Sequence, residues 1–183
     1  MELIKSCKKG NREGYKNLYD KYQGQMYSIC LRYCKDENIA CDALQNGFIS
    51  VFDNLSNLTN HDSLEFWMRK IMVRSSLELL RKEKKIKQVD IDTVNAAELG
   101  SNESYISDNY NYNKILEHLN SMPEGYRTIF SMHILDELSH VEIAEILNIS
   151  VNTSRTQLFK ARKYMQELIK NDKYLSKEIK YRV

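Results

Sequence analysis

The stretch "SHVEIAEILNISVNTSRTQLFKAR", from Ser139 to Arg162, decides the fold. Ser139, with Glu142 three residues later, has the form of a capping box. It opens a helix to Leu147 whose packing residues are Ile143, Ala144, Ile146 and Leu147. Asn148 then occupies a turn position where a left-handed backbone is needed, which Gly supplies most readily and Asn next. Ser150 can cap a second helix from Val151 to about Lys170. Two helices joined by so short a turn, with small Ala144 where they approach, predict a helix-turn-helix. The outer face of the second helix carries Asn152, Arg155, Thr156, Phe159, Lys160 and Arg162. These donors, guanidinium groups and aromatic edge suit base edges and phosphates in a major groove. An ordinary helical hairpin with a solvated basic surface accounts for Lys160 and Lys163, but not for Arg155, Thr156 and Phe159 together.

Working toward the N-terminus, Ile115, Leu116 and Leu119 mark a short helix and Tyr126, Ile129, Phe130 and Ile134 another, with Pro123 at a tolerated first-turn position. The segment 88–113 contains no Lys or Arg, and Asp90, Asp92, Glu98, Glu103 and Asp108 make it acidic. Its Asn- and Ser-rich composition buries little apolar surface, so it reads as a flexible linker between two small helical domains. In the first domain, Tyr15, Leu18, Tyr19, Tyr22, Met26, Ile29, Cys30 and Tyr33 recur at helical spacing, and Lys35 to Asn38 reads as a turn. A helix from about Ile39 to Leu55 turns Ala43, Leu44, Gly47, Phe48, Val51 and Phe52 inward and leaves Asp42, Gln45 and Asn46 outward. After a polar loop from Asn54 to Ser63, Asp62 and Glu65 suggest a capped helix that carries Phe66, Trp67, Ile71, Leu77 and Leu80. That helix ends in a basic stretch, Arg69 to Lys87, and a short basic tail follows residue 172.

One proline and six glycines in 183 residues leave few of the signals that punctuate strands, so the expected class is all-α. The net charge of +2 is too small to announce a polyanion partner, and the placement of charge has to carry that inference. "MELIKSCKKGNREG" lacks the apolar stretch of a signal peptide, and no apolar run approaches membrane-spanning length. A cytoplasmic protein without membrane insertion is expected. Cys7, Cys30, Cys34 and Cys41 then read as free thiols. Cys30 and Cys34 share a helix face, which admits a metal reading, but without a paired CxxC or a nearby histidine two buried small apolar side chains account for them.

These motifs together resemble the extracytoplasmic-function group of RNA polymerase sigma factors, in the sigma-70 family. "MPEGYRTIF" is similar to the family's Leu-Pro-x-x-x-Arg-x-x-Phe opening, with Met122 for Leu, and "LSHVEIAEILNIS" with "NTSRTQLFKAR" to its helix-turn-helix. "DALQNGFISVF", Asp42 to Phe52, resembles the Asp-x-x-Gln-Glu-x-Phe helix, and "WMRKIMVRSSLELLR", Trp67 to Arg81, the Trp-Leu-x-x-Ile helix. Gly47 to Ile49 and Gly125-Tyr126 look similar to members from the Bacteroidetes. The resemblance implies region 2 at 1–87, a linker at 88–113, region 4 at 114–172 and a basic tail at 173–183.

It also implies the partners and the sites. Asp42, Gln45 and Asn46 would dock on the clamp helices of core RNA polymerase, with Asn46 replacing the usual Glu and losing a charge-assisted contact. The loop around Asn57, Asn60 and His61 would capture an extruded base of the minus-10 element, and Arg69, Lys70 and Arg74 would hold phosphates of the opened strand. Trp67 is either a stacking platform beside them or core. Arg155, Thr156, Gln157, Phe159, Lys160 and Arg162, with Asn152, would read the minus-35 element of promoter DNA, while the other face of that domain meets the polymerase flap. Gln157 stands where the family more often has Arg or Ser. The acidic linker either threads toward the polymerase cleft or is a solvated spacer. An anti-sigma factor is the expected regulator.

The helix-turn-helix alone would equally serve a regulator that binds DNA without polymerase; the first-domain motifs speak against that. An enzyme has little support: there is no Gly-rich phosphate loop, no metal-spaced His or Cys set, and no nucleophile paired with a base. No catalytic residue, metal or cofactor is expected.

Overall fold

The computed structural model describes residues 2–58, 63–90 and 110–172, and side chains in all of these except residues 2, 84–90 and 110–113. Asn60, His61, Asp62, most of the acidic segment and the basic tail lie outside the described residues. Those that are described form helices and turns, with no strand among them. The chain divides into two compact units, Met1–Gly100 and Ser101–Val183.

The first unit contains α1 (Glu2–Lys8), α2 (Arg12–Cys34), α3 (Glu37–Asn54), a short 3-10 turn (Leu55–Asn57) and α4 (Leu64–Asp90). Asn11 caps α2 by accepting from the Glu13 N–H, and Asp36 caps α3 by accepting from the Ile39 N–H. The expected turn therefore contracts: Glu37 and Asn38 belong to the first turn of α3, and Lys35, at φ 61°, ends α2. Helices α2, α3 and α4 pack against one another around Leu18, Met26, Cys30, Ala43, Phe48 and Val51, all buried. Tilted ring pairs, Tyr15 with Phe52 at 4.9 Å and Tyr19 with Phe48 at 4.7 Å, join α2 to α3.

Helix α4 departs from the expected pattern. Leu77 is buried, but Phe66, Trp67, Ile71 and Leu80 are only half-buried, and Leu64, Met68, Met72, Val73, Ser75 and Ser76 fill the interior. The two serines are tolerated because their hydroxyls are satisfied at close range. Ser75 donates to the Ala43 carbonyl across the helix pair at 2.8 Å, and Ser76 donates to the Met72 carbonyl at 2.9 Å. Small Ser75 lets α3 and α4 approach, and Gly47 lies at that approach: a Cβ built there collides with the thioether of Met72, itself fully buried. Gly47→Ala is accordingly expected to destabilise the first unit by about 1–3 kcal/mol through overpacking, measurable as a lower urea midpoint. An unchanged midpoint would mean that Met72 has another place to go.

The second unit contains α5 (Tyr110–Ser121), α6 (Glu124–Phe130), a π-helical segment (Ser131–Leu135), α7 (His140–Leu147) and α8 (Val151–Asn171). Leu119, Met122, Ala161 and Met165 form a buried cluster, covered by Leu116, Tyr126, Phe130 and Leu168. His118 Nε2 lies 2.9 Å from Asp172 Oδ2, which ties α5 to the end of α8. Ile134, expected to pack, is 38 % exposed because the π segment inserts an extra residue into the helical register. Its closing bonds run from the Asp136 N–H to the Ser131 carbonyl and from the Leu138 N–H to the Met132 carbonyl, both at 2.9 Å.

Candidate nucleic-acid interface

The helix-turn-helix is built as its sequence requires. Ser139 and Glu142 cap each other: the Ser139 N–H donates to Glu142 Oε2 at 2.8 Å, and the Glu142 N–H donates to Ser139 Oγ at 3.3 Å. Asn148 takes the left-handed conformation, φ 54° and ψ 51°, and the Ile149 N–H donates to the Ala144 carbonyl at 3.0 Å. Ser150 Oγ then accepts from the Thr153 N–H at 2.9 Å and starts α8. With both ends of the turn hydrogen-bonded, α8 is held against α7 through Ile143, Ala144, Ser154 and Leu158, all buried.

One side of α8 (Ser154, Leu158, Ala161, Met165) is buried, and the other presents Asn152, Arg155, Thr156, Phe159, Lys160 and Arg162 to solvent. Phe159 is 72 % exposed, an unusual placement for a large apolar ring unless a partner covers it. At 100° per residue, Arg155 and Arg162 lie on one edge of this stripe, while Gln157 lies toward the opposite edge and is half-buried. Lys163, first read as ordinary surface, falls at the centre of the stripe and is exposed.

In the first unit, Asp42, Gln45 and Asn46 are exposed on one face of α3. Ile49, which the apolar pattern did not single out, continues that face at 57 % exposure. On α4 the expected phosphate ligands separate. Trp67, Lys70 and Arg74 share a face, with the Lys70 ammonium 4.6 Å from the centre of the Phe66 ring. Arg69 turns elsewhere: it donates to Glu65 Oε1 at 3.0 Å, and the same oxygen accepts from Gln25 Nε2 at 2.6 Å. Its side chain is only 19 % exposed. Trp67 is half-buried, so it is neither a fully enclosed core residue nor a fully open platform. Asn57 is exposed in the 3-10 turn, and Lys8 donates to the Leu58 carbonyl at 2.8 Å, tying the end of α1 to the residue after that turn.

Burial pushes the Cys30 thiol up to about 12 and the Cys34 thiol up to about 11, so both remain protonated and act as packing groups. No cluster of three or more potential metal ligands occurs among the described residues.

The Sigma-70 region 2 family model matches residues 18–86, and the Sigma-70, region 4 model matches residues 112–165. The chain is 30 % identical over 152 residues to RNA polymerase sigma factor SigV of Bacillus subtilis, covering 82 % of this chain and 89 % of that protein. It is 25 % identical over 178 residues to ECF RNA polymerase sigma factor SigW of the same organism, covering 92 % and 95 %. Among solved structures, the fold is similar to the sigma factor RpoE in its complex with the anti-sigma factor NepR from Bartonella quintana. The TM-score is 0.61 at 16 % identity, over 87 % of this chain and 98 % of that one. The chain belongs to the extracytoplasmic-function group of the sigma-70 family. It is a promoter-recognising factor of transcription initiation.

Proposed function

We propose that α8 reads the minus-35 element through Asn152, Arg155, Thr156, Gln157, Phe159, Lys160 and Arg162, and that the first unit docks core RNA polymerase and engages the minus-10 element. The exposed stripe of α8 carries this reading, because its guanidinium, amide, hydroxyl and aromatic groups stand out from a helix held rigidly by a hydrogen-bonded turn. Docking uses Asp42, Gln45 and Asn46, with Ile49 supplying apolar contact beside them. At the minus-10 element, Asn57, Asn60 and His61 line base capture, and Trp67, Lys70 and Arg74 follow the opened strand. Arg69, paired with Glu65 on another side of α4, adds positive charge to the same helix.

On this reading residues 1–87 act as region 2, 88–113 as the connecting segment, 114–172 as region 4 and 173–183 as a basic tail. The chain works in the cytoplasm, carries out no reaction of its own, and is held in check by an anti-sigma protein, as NepR is paired with its own sigma factor. Among the described residues, no helix is long and apolar enough to cross a membrane.

The test is transcription of a genomic fragment library by purified core polymerase with and without the protein. Discrete new start sites that share two upstream elements are expected. Specific DNA binding without new starts would instead leave a regulator that acts apart from polymerase.

A further inference from the structure

His133, in the π segment, and His140, the first residue of α7, stack face to face with ring centres 4.5 Å apart and an interplanar angle of 15°. Both rings are fixed from behind. His133 Nδ1 lies 2.8 Å from the Leu138 carbonyl, which can only accept, so Nδ1 carries a hydrogen in every state and any added proton goes to Nε2. His140 Nδ1 lies 2.9 Å from the hydroxyl of Ser154, a fully buried residue of α8. The pair is therefore attached directly to the reading helix, on the side where Arg155 and Arg162 lie.

The charges that act on His140 are positive. From α8 the groups that act on His140 are Arg155 and Arg162, and from the π segment His133. In the connection between the π segment and α7, Asp136 is buried and Glu137 is exposed. On α7, Glu142 is engaged in the capping box. Partial burial, the neighbouring imidazole and the two guanidinium groups hold His140 below the ordinary histidine range, and the positive end of α7 acts in the same direction. Two guanidinium groups beside the His140 imidazole form a cationic cluster suited to an anion, and the anion that meets the edge of a reading helix is a backbone phosphate.

We propose that the stacked His133–His140 pair, with Arg162, is a phosphate-contacting site that takes up a proton when the second unit engages duplex DNA. This rests on the reading of α8 as the DNA-contacting helix and adds a pH dependence to it. The phosphate reverses the local potential and favours one imidazolium. A second is opposed by the first at stacking distance, so about one proton enters. The sign follows from linkage. The bound state holds the proton more tightly than the unbound state, so affinity rises as pH falls. Between the unbound and bound titration ranges it changes by up to about tenfold per pH unit, and it levels off on either side.

The direct measurement is calorimetric titration of the full chain with a mixed-sequence duplex near pH 6.5, in two buffers of different ionisation heat. Uptake of about one proton is expected, and uptake indistinguishable from zero overturns the proposal. Alongside it, holoenzyme affinity for a promoter fragment found in the transcription experiment is compared at about pH 6 and pH 7.5 for the wild type and for His140→Gln and His133→Gln. Glutamine can still hydrogen-bond but does not titrate, and taking the ratio to wild type cancels titrating groups on the polymerase. The wild type is expected to weaken about three- to tenfold more than either variant over that interval. Equal weakening overturns the proposal while leaving the promoter reading intact. Loss of specific complexes at every pH counts against the promoter reading instead, and the mixed-sequence calorimetry then still decides the histidines.

Discussion

Ile143→Ala is expected to abolish recognition of the upstream promoter element at physiological temperature while leaving association with core polymerase intact. Ile143 is fully buried in α7, and its truncation leaves a cavity that costs about 2–5 kcal/mol. Small domains have few kcal/mol in reserve, so the midpoint of the second unit should fall by roughly 10–30 °C in a thermal scan. Asp42, Gln45, Asn46 and Ile49 belong to the other compact unit, and core binding should survive. Equal loss of both functions would show that the two units unfold together.

Arg155→Ala separates recognition from stability. Arg155 is exposed, so its removal leaves no cavity, and the unfolding free energy should stay within about 0.5 kcal/mol of wild type. Binding to the minus-35 element should weaken by about 1–3 kcal/mol, with selectivity relaxed at one base pair, if its guanidinium bonds a base edge. A uniform loss across all sequences would make Arg155 a phosphate contact, and it would then belong with Arg162 and the histidine pair rather than with the base-reading groups. Comparing the two variants keeps a folding defect from being mistaken for a recognition defect.

Much of this was legible in the residues because local chemistry and tertiary structure agree. The Ser139 and Glu142 capping box, the Asn148 turn and the Ser150 cap are short-range devices, and all three appear as the spacing predicts. The same holds for the outer face of α8 and for Asp42, Gln45 and Asn46 on α3, where helical periodicity alone decides exposure. What escaped depends on packing between elements. On α4 the large apolar residues suggested the buried face, but the interior takes Met68, Met72, Ser75 and Ser76. The serine hydroxyls find carbonyl partners, and Gly47 brings α3 close. Arg69 reads in the sequence as one of three equivalent cations, yet it pairs with Glu65, whose same oxygen also accepts from Gln25. The His133–His140 stack was invisible because the π segment sets its register, and no spacing rule announces a single extra residue in a helical turn.

The central claim is that one chain presents two separate promoter contacts through two compact units. A hydroxyl-radical footprint of holoenzyme at a start site found by the transcription screen tests it most directly. Two protected patches are predicted, an upstream one that fades with Arg155→Ala and a downstream one that does not. A single patch, or an upstream patch indifferent to Arg155, would contradict the assignment of α8 as the reading helix.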